Sequence, residues 1–123
     1  MTLNEAIAKV DSVKPNAYSA EEKTAWISEL DGKIFAELLS THRAKDVPAT
    51  FSSYVYPTDK ERELLASFPY DGIYTLYVMA QIDFHNADIG RYNNSIQAFY
   101  TAWSDYSNAY TRTYMPKGEF IRL

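Results

Sequence analysis

The chain has 123 residues, enough for one compact domain with its own hydrophobic core and too few for two ordinary domains. It contains no cysteine, which excludes disulfide scaffolds, cysteine-ligated metal sites and thiol nucleophiles. With 12 basic and 16 acidic residues the formal net charge is −4, which argues against a protein that coats DNA. Tyrosine is unusually frequent, with 11 residues, and suits surfaces that are both polar and adhesive.

The first segments of the chain predict two amphipathic helices. Thr2 with Glu5, and Ser19 with Glu22, have the three-residue spacing of a capping box, in which each side chain satisfies an exposed backbone N–H. The first helix is expected over 2–13. The second is expected to run to residues 40–43 as one helix despite Asp31-Gly32, because no proline interrupts its apolar stripe.

Residues 44–57 are irregular in composition. Phe51, Tyr54 and Tyr56 lie there among Ser, Thr and Pro, which predicts an aromatic-tipped loop or a short strand. A short helical turn is expected next, since Thr58 and Glu61 are spaced as a further capping pair.

Two long helices are predicted in the C-terminal half of the chain. The third is expected to begin at 68–71, with Pro69 in its first turn, and to end near 85–90. The fourth is expected over 89–114, antiparallel to the third, and its apolar residues repeat at spacings of four and three as in a coiled coil. The predicted core residues are Trp26, Leu30, Ile34, Tyr77, Phe84, Tyr92, Ile96, Phe99, Trp103 and Tyr106.

The sequence therefore predicts an all-α fold of four to five helices, with a single helical domain over 1–115 and a C-terminal tail over 116–123. Neither a signal peptide nor a membrane span is predicted, since the longest nearly uncharged stretch, 73–82, is about half the length that a bilayer requires.

Charge is scarce in residues 64–111. Only five charged residues occur there, and the polar positions are mostly Asn, Gln, Ser and Thr. Seven of the eleven tyrosines lie in the same stretch. Charge depletion with tyrosine enrichment is typical of protein interfaces. The alternative is a monomer with a tyrosine-rich core and a neutral surface.

No catalytic or metal site is predicted. Helical spacing places Asp83 and His85 about 200° apart, so they do not converge on an ion. His85 is interpreted as part of a helix end. His42 is expected to be exposed at the end of the second helix, where a cation suits the dipole. No nucleophile motif or phosphate-binding loop occurs, so neither an enzyme nor a cofactor is expected.

Several segments carry a family resemblance: Trp26-Ile-Ser-Glu-Leu-Asp-Gly32, Pro69-Tyr-Asp-Gly-Ile-Tyr74, Ala80-Gln-Ile-Asp-Phe84 and Arg91-Tyr-Asn-Asn-Ser95. In this order they resemble small proteins from the head-morphogenesis region of tailed phages and prophages of Gram-positive bacteria, described as head–tail connector or head-completion proteins. The resemblance covers about residues 20–115.

The resemblance implies a helical, non-catalytic subunit, monomeric before assembly, that forms a ring on the portal protein and meets tail-side connector proteins. DNA would pass through the ring only as cargo. The expected location is the virion head–tail junction, after assembly in the host cytoplasm, without membrane contact. The resemblance implies contacts through the loop 44–57 and the C-terminal segment 112–123. Within these regions the expected interface residues are Phe51, Tyr54, Tyr56, Arg112, Met115, Phe120, Ile121 and Leu123. The alternative is a small helical binding module that dimerises through the seam Tyr92-Ile96-Phe99-Trp103 of its last helix.

Overall fold

A computed structural model of the chain describes residues 1–45 and 47–117. Within these ranges it contains four α-helices and no strand: α1 (Leu3–Val13), α2 (Ala20–Ile34), α3 (Ile73–His85) and α4 (Ile89–Thr113). The all-α prediction is confirmed. No strand forms in the described part of 44–57. After Thr58 the chain forms hydrogen-bonded turns, which occupy 56–61, rather than a helix.

Both predicted capping boxes are present. The Thr2 hydroxyl accepts from the Glu5 N–H at 3.1 Å, and the Glu5 carboxylate accepts from the Thr2 N–H at 2.8 Å. Ser19 and Glu22 repeat the arrangement at 3.1 and 2.9 Å. Hydrogen bonds from Ser19 lower the pKa of Glu22. The starts of α1 and α2 are therefore fixed by local chemistry.

α2 passes through Asp31-Gly32 without a break, as predicted, and then widens into a π-helical segment, Phe35–Leu39. The N–H of Ser40 donates to the Phe35 carbonyl, five residues back, at 2.9 Å. His42 follows, and the prediction that it is exposed is wrong. Its Nδ1 lies 2.9 Å from the Leu38 carbonyl oxygen, and its ring packs edge-on against Tyr110 from α4.

α3 and α4 pack as the antiparallel pair that the sequence predicts. Three aromatic pairs mark the register, with ring centroids 5.5, 5.0 and 5.7 Å apart: Phe84–Tyr92, Tyr77–Phe99 and Tyr70–Tyr106. From one pair to the next the residue number falls by seven in 70–84 and rises by seven in 92–106, as antiparallel packing requires. Residues 86–88 form the turn, with Ala87 at a φ of 58° and the Asp88 side chain capping α4.

Most of the predicted core residues are buried or pack against the core. Leu30, Ile34, Phe99 and Tyr106 are buried, and Trp26, Tyr77, Ile96 and Trp103 pack on them from partly buried positions. Tyr92 is half-buried. Phe84 is the correction, because it is 54% exposed. It lies in the last turn of α3, at the end of the hairpin, where its ring contacts Tyr92 and His85.

Two ion pairs fasten the connection between α1 and α2. The Lys23 ammonium, on a side chain 5% exposed, lies 2.7 Å from Asp11. The Lys14 ammonium lies 2.9 Å from a carboxylate oxygen of Asp83, which is 2% exposed. The Ser95 hydroxyl donates to the other Asp83 oxygen at 2.6 Å. Asp83 therefore joins the connection to both helices of the hairpin.

The irregular residues 40–72 are held by backbone pairing with the two ends of the described chain. The N–H of Leu3 donates to the Arg62 carbonyl at 3.0 Å, and the N–H of Leu64 donates to the Met1 carbonyl at 3.0 Å. A second pairing joins 41–43 to 115–117 in antiparallel fashion. α3 begins only after this segment, at Ile73, and Pro69 lies in the turn that precedes it.

Candidate functional site

Tyr54, predicted as an exposed anchor on the loop, is instead a core residue. Its side chain is 6% exposed, and its hydroxyl donates to Asp31 Oδ2 at 2.6 Å. Its N–H donates to the Ser28 hydroxyl at 2.9 Å. The guanidinium of Arg62 lies 4.9 Å from the centre of its ring. Tyr54 is buried because its polar end has a partner inside the protein.

Asp31 is the centre of a buried polar network that the sequence analysis did not single out. It is completely buried, and besides Tyr54 it accepts from the Tyr74 hydroxyl at 2.6 Å and the Leu65 N–H at 3.1 Å. The Tyr74 hydroxyl in turn accepts from the Ala66 N–H at 2.7 Å. Burial raises the pKa of Asp31, and burial together with the Asp31 charge raises the pKa of Tyr54 and Tyr74.

The network is structural in character. Both Asp31 oxygens are occupied by hydrogen bonds from the protein's own groups. Its effect is to attach the irregular segment to α2 and α3. A signal for it does exist in the sequence: Asp31 lies four residues after Ile27 and three before Ile34, which is a carboxylate on the apolar face of a helix.

The other two predicted loop anchors also pack on their own chain. Phe51 is partly buried, with its ring 6.2 Å from Phe35 and 5.4 Å from Tyr54. It covers Gly32, where a Cβ would lie 3.7 Å from the ring. Tyr56 is likewise partly buried against the core. The loop therefore does not present a free aromatic tip.

The predicted anchors at the end of the chain divide into two groups. Arg112 and Met115 are exposed, Met115 at 68%. Phe120, Ile121 and Leu123 lie outside the described residues.

The exposed face of α4 is the surface on which we follow the neutral-face prediction. Only Phe99 and Tyr106 of its 25 residues are buried. Six exposed, uncharged residues follow one another at spacings of three and four along the outward side, and the exposed charges of Asp105 and Arg112 lie beside them. This outer stripe consists of Asn94, Gln97, Thr101, Ser104, Asn108 and Thr111. It extends along most of a helix about 37 Å long.

Two hydroxyl groups of the outer stripe are bonded within the helix. Thr101 donates to the Gln97 carbonyl at 3.1 Å, and Thr111 donates to the Ser107 carbonyl at 2.7 Å. A hydroxyl already bonded within its helix loses little when water is removed from it. These two hydroxyls of the outer stripe are therefore less costly to bury, whereas its amide groups would need partners across a contact.

Metal ligands are not clustered in residues 1–45 and 47–117. Across the residues that the structure describes, no three His, Asp or Glu side chains come together as a ligand set. His85, predicted at a helix end, is the last residue of α3 and stacks on Trp26 with ring centroids 5.4 Å apart.

A scan against protein-family models, a search of curated proteins and a search of solved structures give no match to this chain. None of the helices in the described ranges combines the length and apolar content needed to cross a membrane.

Proposed function

We propose that this protein is a structural subunit of a phage head–tail connector ring, which docks on the portal protein and joins capsid to tail. The observation that carries the proposal is the uncharged outer stripe on α4, exposed along the helix. The resemblance of residues 20–115 to head-completion proteins is the reason for proposing the head–tail connector as the assembly in which this surface is used. In this proposal the protein acts by binding rather than by catalysis.

The physical argument rests on desolvation. A helix that faces only water usually carries Lys and Glu, whereas the outer stripe carries amides and hydroxyls. Burying a charged face requires a partner for every charge, and the centres of interfaces are depleted in charge for this reason. A neutral stripe can instead be covered by a neighbouring subunit, with the remaining amide groups bonding across the contact.

The alternative, a module that dimerises through Tyr92-Ile96-Phe99-Trp103, receives less support. Phe99 is buried and packs on Tyr77 of α3, and Tyr92 packs on Phe84. That face of α4 is already covered within the chain. A dimer through this seam would require the hairpin to open.

Co-sedimentation with purified portal protein tests the proposal. Thr101→Lys places a charge at the middle of the outer stripe and should abolish association while leaving the melting temperature close to that of the wild type. Ala25→Lys is the matched control, since Ala25 is an exposed residue of α2. It should associate normally. If the wild-type protein does not bind the portal and is absent from mature particles, the proposed function is wrong.

A further inference from the structure

A row of five aromatic rings lies at the end of the molecule where α3 turns into α4. Consecutive ring centroids are 5.3, 5.4, 5.3 and 5.5 Å apart. This aromatic ridge consists of Tyr18, Trp26, His85, Phe84 and Tyr92. Phe84 is 54% exposed, and Ile89, three residues before Tyr92, is 62% exposed. Apolar surface gathered in this way is typical of a site that another molecule covers.

The charge beside the aromatic ridge is negative. Glu22 and Glu29 lie four residues before and three residues after Trp26 of α2, so they share a side of the helix with it. Both are exposed, as is Glu21. Two cations of this region are already paired with carboxylates, in Lys14–Asp83 and Arg91–Asp88. The ridge therefore combines aromatic rings with exposed carboxylates, and this combination suits a cationic partner.

The opposite end of the hairpin is basic. Four exposed cations lie where the end of α4 meets the residues that follow Leu39, and none forms an ion pair with a carboxylate of residues 1–45 or 47–117. This basic end consists of Arg43, Lys45, Arg112 and Lys117. The N–H of Arg43 donates to the Met115 carbonyl at 2.7 Å, which holds the two parts of the basic end together. The Met115 side chain is 68% exposed beside these cations.

We infer that the aromatic ridge of one copy binds the basic end of a neighbouring copy of this chain. The inference rests on the proposed function and names a contact within the ring. Lysine and arginine bind the faces of aromatic rings, and the thioether of methionine packs favourably on them. The glutamates beside the ridge are opposite in charge to the basic end, so the two surfaces match in charge as well as in chemistry.

The two surfaces lie at opposite ends of α4, whose 25 residues span about 37 Å. One copy therefore does not bring its own ridge and basic end together. Because the two surfaces differ, the contact is head-to-tail, and such contacts close into rings when the rotation between subunits permits. The outer stripe lies between the two ends and takes no part in this contact.

The absence of native cysteine makes a direct test available. One full-length preparation carries Ile89→Cys, beside the ridge, and a second, with a different tag, carries Met115→Cys. They are mixed and oxidised with oxidised glutathione. The matched control replaces the first with Tyr100→Cys, a side chain 54% exposed near the middle of α4.

The expected result is several-fold more mixed dimer with Ile89→Cys than with the control, on a non-reducing gel. A yield no greater than that of the Tyr100→Cys control overturns the inference. Dimers of Ile89→Cys with itself, in place of the mixed dimer, also overturn it, since they show that two ridges meet.

Charge reversal in the same cross-linking assay tests the chemistry of the contact. Glu21→Lys with Glu29→Lys reverses the charge beside the ridge and leaves the capping residue Glu22 in place. Lys45→Glu with Lys117→Glu reverses the basic end. Either reversal alone should lower the yield of mixed dimer several-fold, and the two together should restore it. A yield that neither reversal changes, or that the combination does not restore, overturns the inference.

The proposed function is judged separately, by co-sedimentation of the wild-type chain and the charge-reversed variants with portal protein. If the wild-type chain binds portal protein while the cross-link is absent, only the contact between copies is wrong. If charge reversal also abolishes portal binding in that case, the two ends face the portal protein instead. If the cross-link forms but the wild-type chain does not bind portal protein, the contact between copies stands and the proposed function fails.

Discussion

Replacing Asp31 with alanine should be among the most damaging single changes in this chain. The carboxylate is completely buried and accepts hydrogen bonds from Tyr54, Tyr74 and the Leu65 N–H. Alanine removes the acceptor for all three donors at once. None of them has another partner in the described chain to which it donates.

The size of the stability loss follows from the cost of leaving these three donors without a hydrogen-bond acceptor. Each buried group that loses its partner costs about 1–3 kcal/mol. Relaxation around the shortened side chain recovers part of this, so the expected loss in the free energy of unfolding is about 3–6 kcal/mol. Since domains of this kind have about 5–15 kcal/mol in total, the variant should be close to unfolding.

Urea denaturation followed by the fluorescence of Trp26 and Trp103 measures the effect. Asp105→Ala serves as the control, since Asp105 is exposed on α4, and it should change the free energy of unfolding by no more than about 0.5 kcal/mol. If Asp31→Ala loses less than about 1 kcal/mol, the hydrogen-bond network is not what attaches the irregular segment to the helices.

Three further changes probe other parts of the fold by the same denaturation measurement. Burial raises the pKa of Asp31 above 3.8, so the stability that comes from its protonated form is present below pH 3.8 and is lost as the pH rises through the folded-state pKa. Asp31→Asn should remove this pH-dependent part of the free energy of unfolding. A pH profile equal to that of the wild type would contradict the raised pKa. Phe99→Ala should cost about 3–5 kcal/mol and its exposed neighbour Tyr100→Ala about 0.5 or less, whereas equal losses would contradict the hairpin register. Lys14→Met leaves buried Asp83 without its cation and should lower the free energy of unfolding by about 2–4 kcal/mol. The double variant Lys14→Met, Asp83→Leu should restore most of this loss. A loss below about 1 kcal/mol for Lys14→Met alone would contradict the ion pair.

The predictions that the structure confirms depend on residues close together in sequence. The capping boxes at Thr2 and Ser19 each involve two residues three positions apart. The start of α4 at Ile89 follows from a turn of three residues. The register of the hairpin then follows from that short turn, because two long helices joined by so few residues must pack antiparallel.

The candidate site was less predictable because exposure is not a local property. The uncharged character of the outer stripe can be counted in the sequence, but only the packing of α4 on α3 decides which of its sides faces outward. Phe84 shows the same limit: its apolar pattern predicts burial, and its position at the end of the hairpin leaves it half exposed. His42 shows the reverse. Its position at a helix end predicts an exposed ring, but Tyr110 of α4 covers that ring.

The sequence by itself determined the helical class, the helix starts at Thr2 and Ser19, the hairpin and the lack of charge in residues 64–111. These depend on periodicity, capping and composition, which act over a few residues. Only the tertiary structure decided that Asp31 binds Tyr54, Leu65 and Tyr74, which lie 23, 34 and 43 residues away. Tyrosines at such separations become partners because the fold brings them to one buried carboxylate, and no local pattern specifies that meeting.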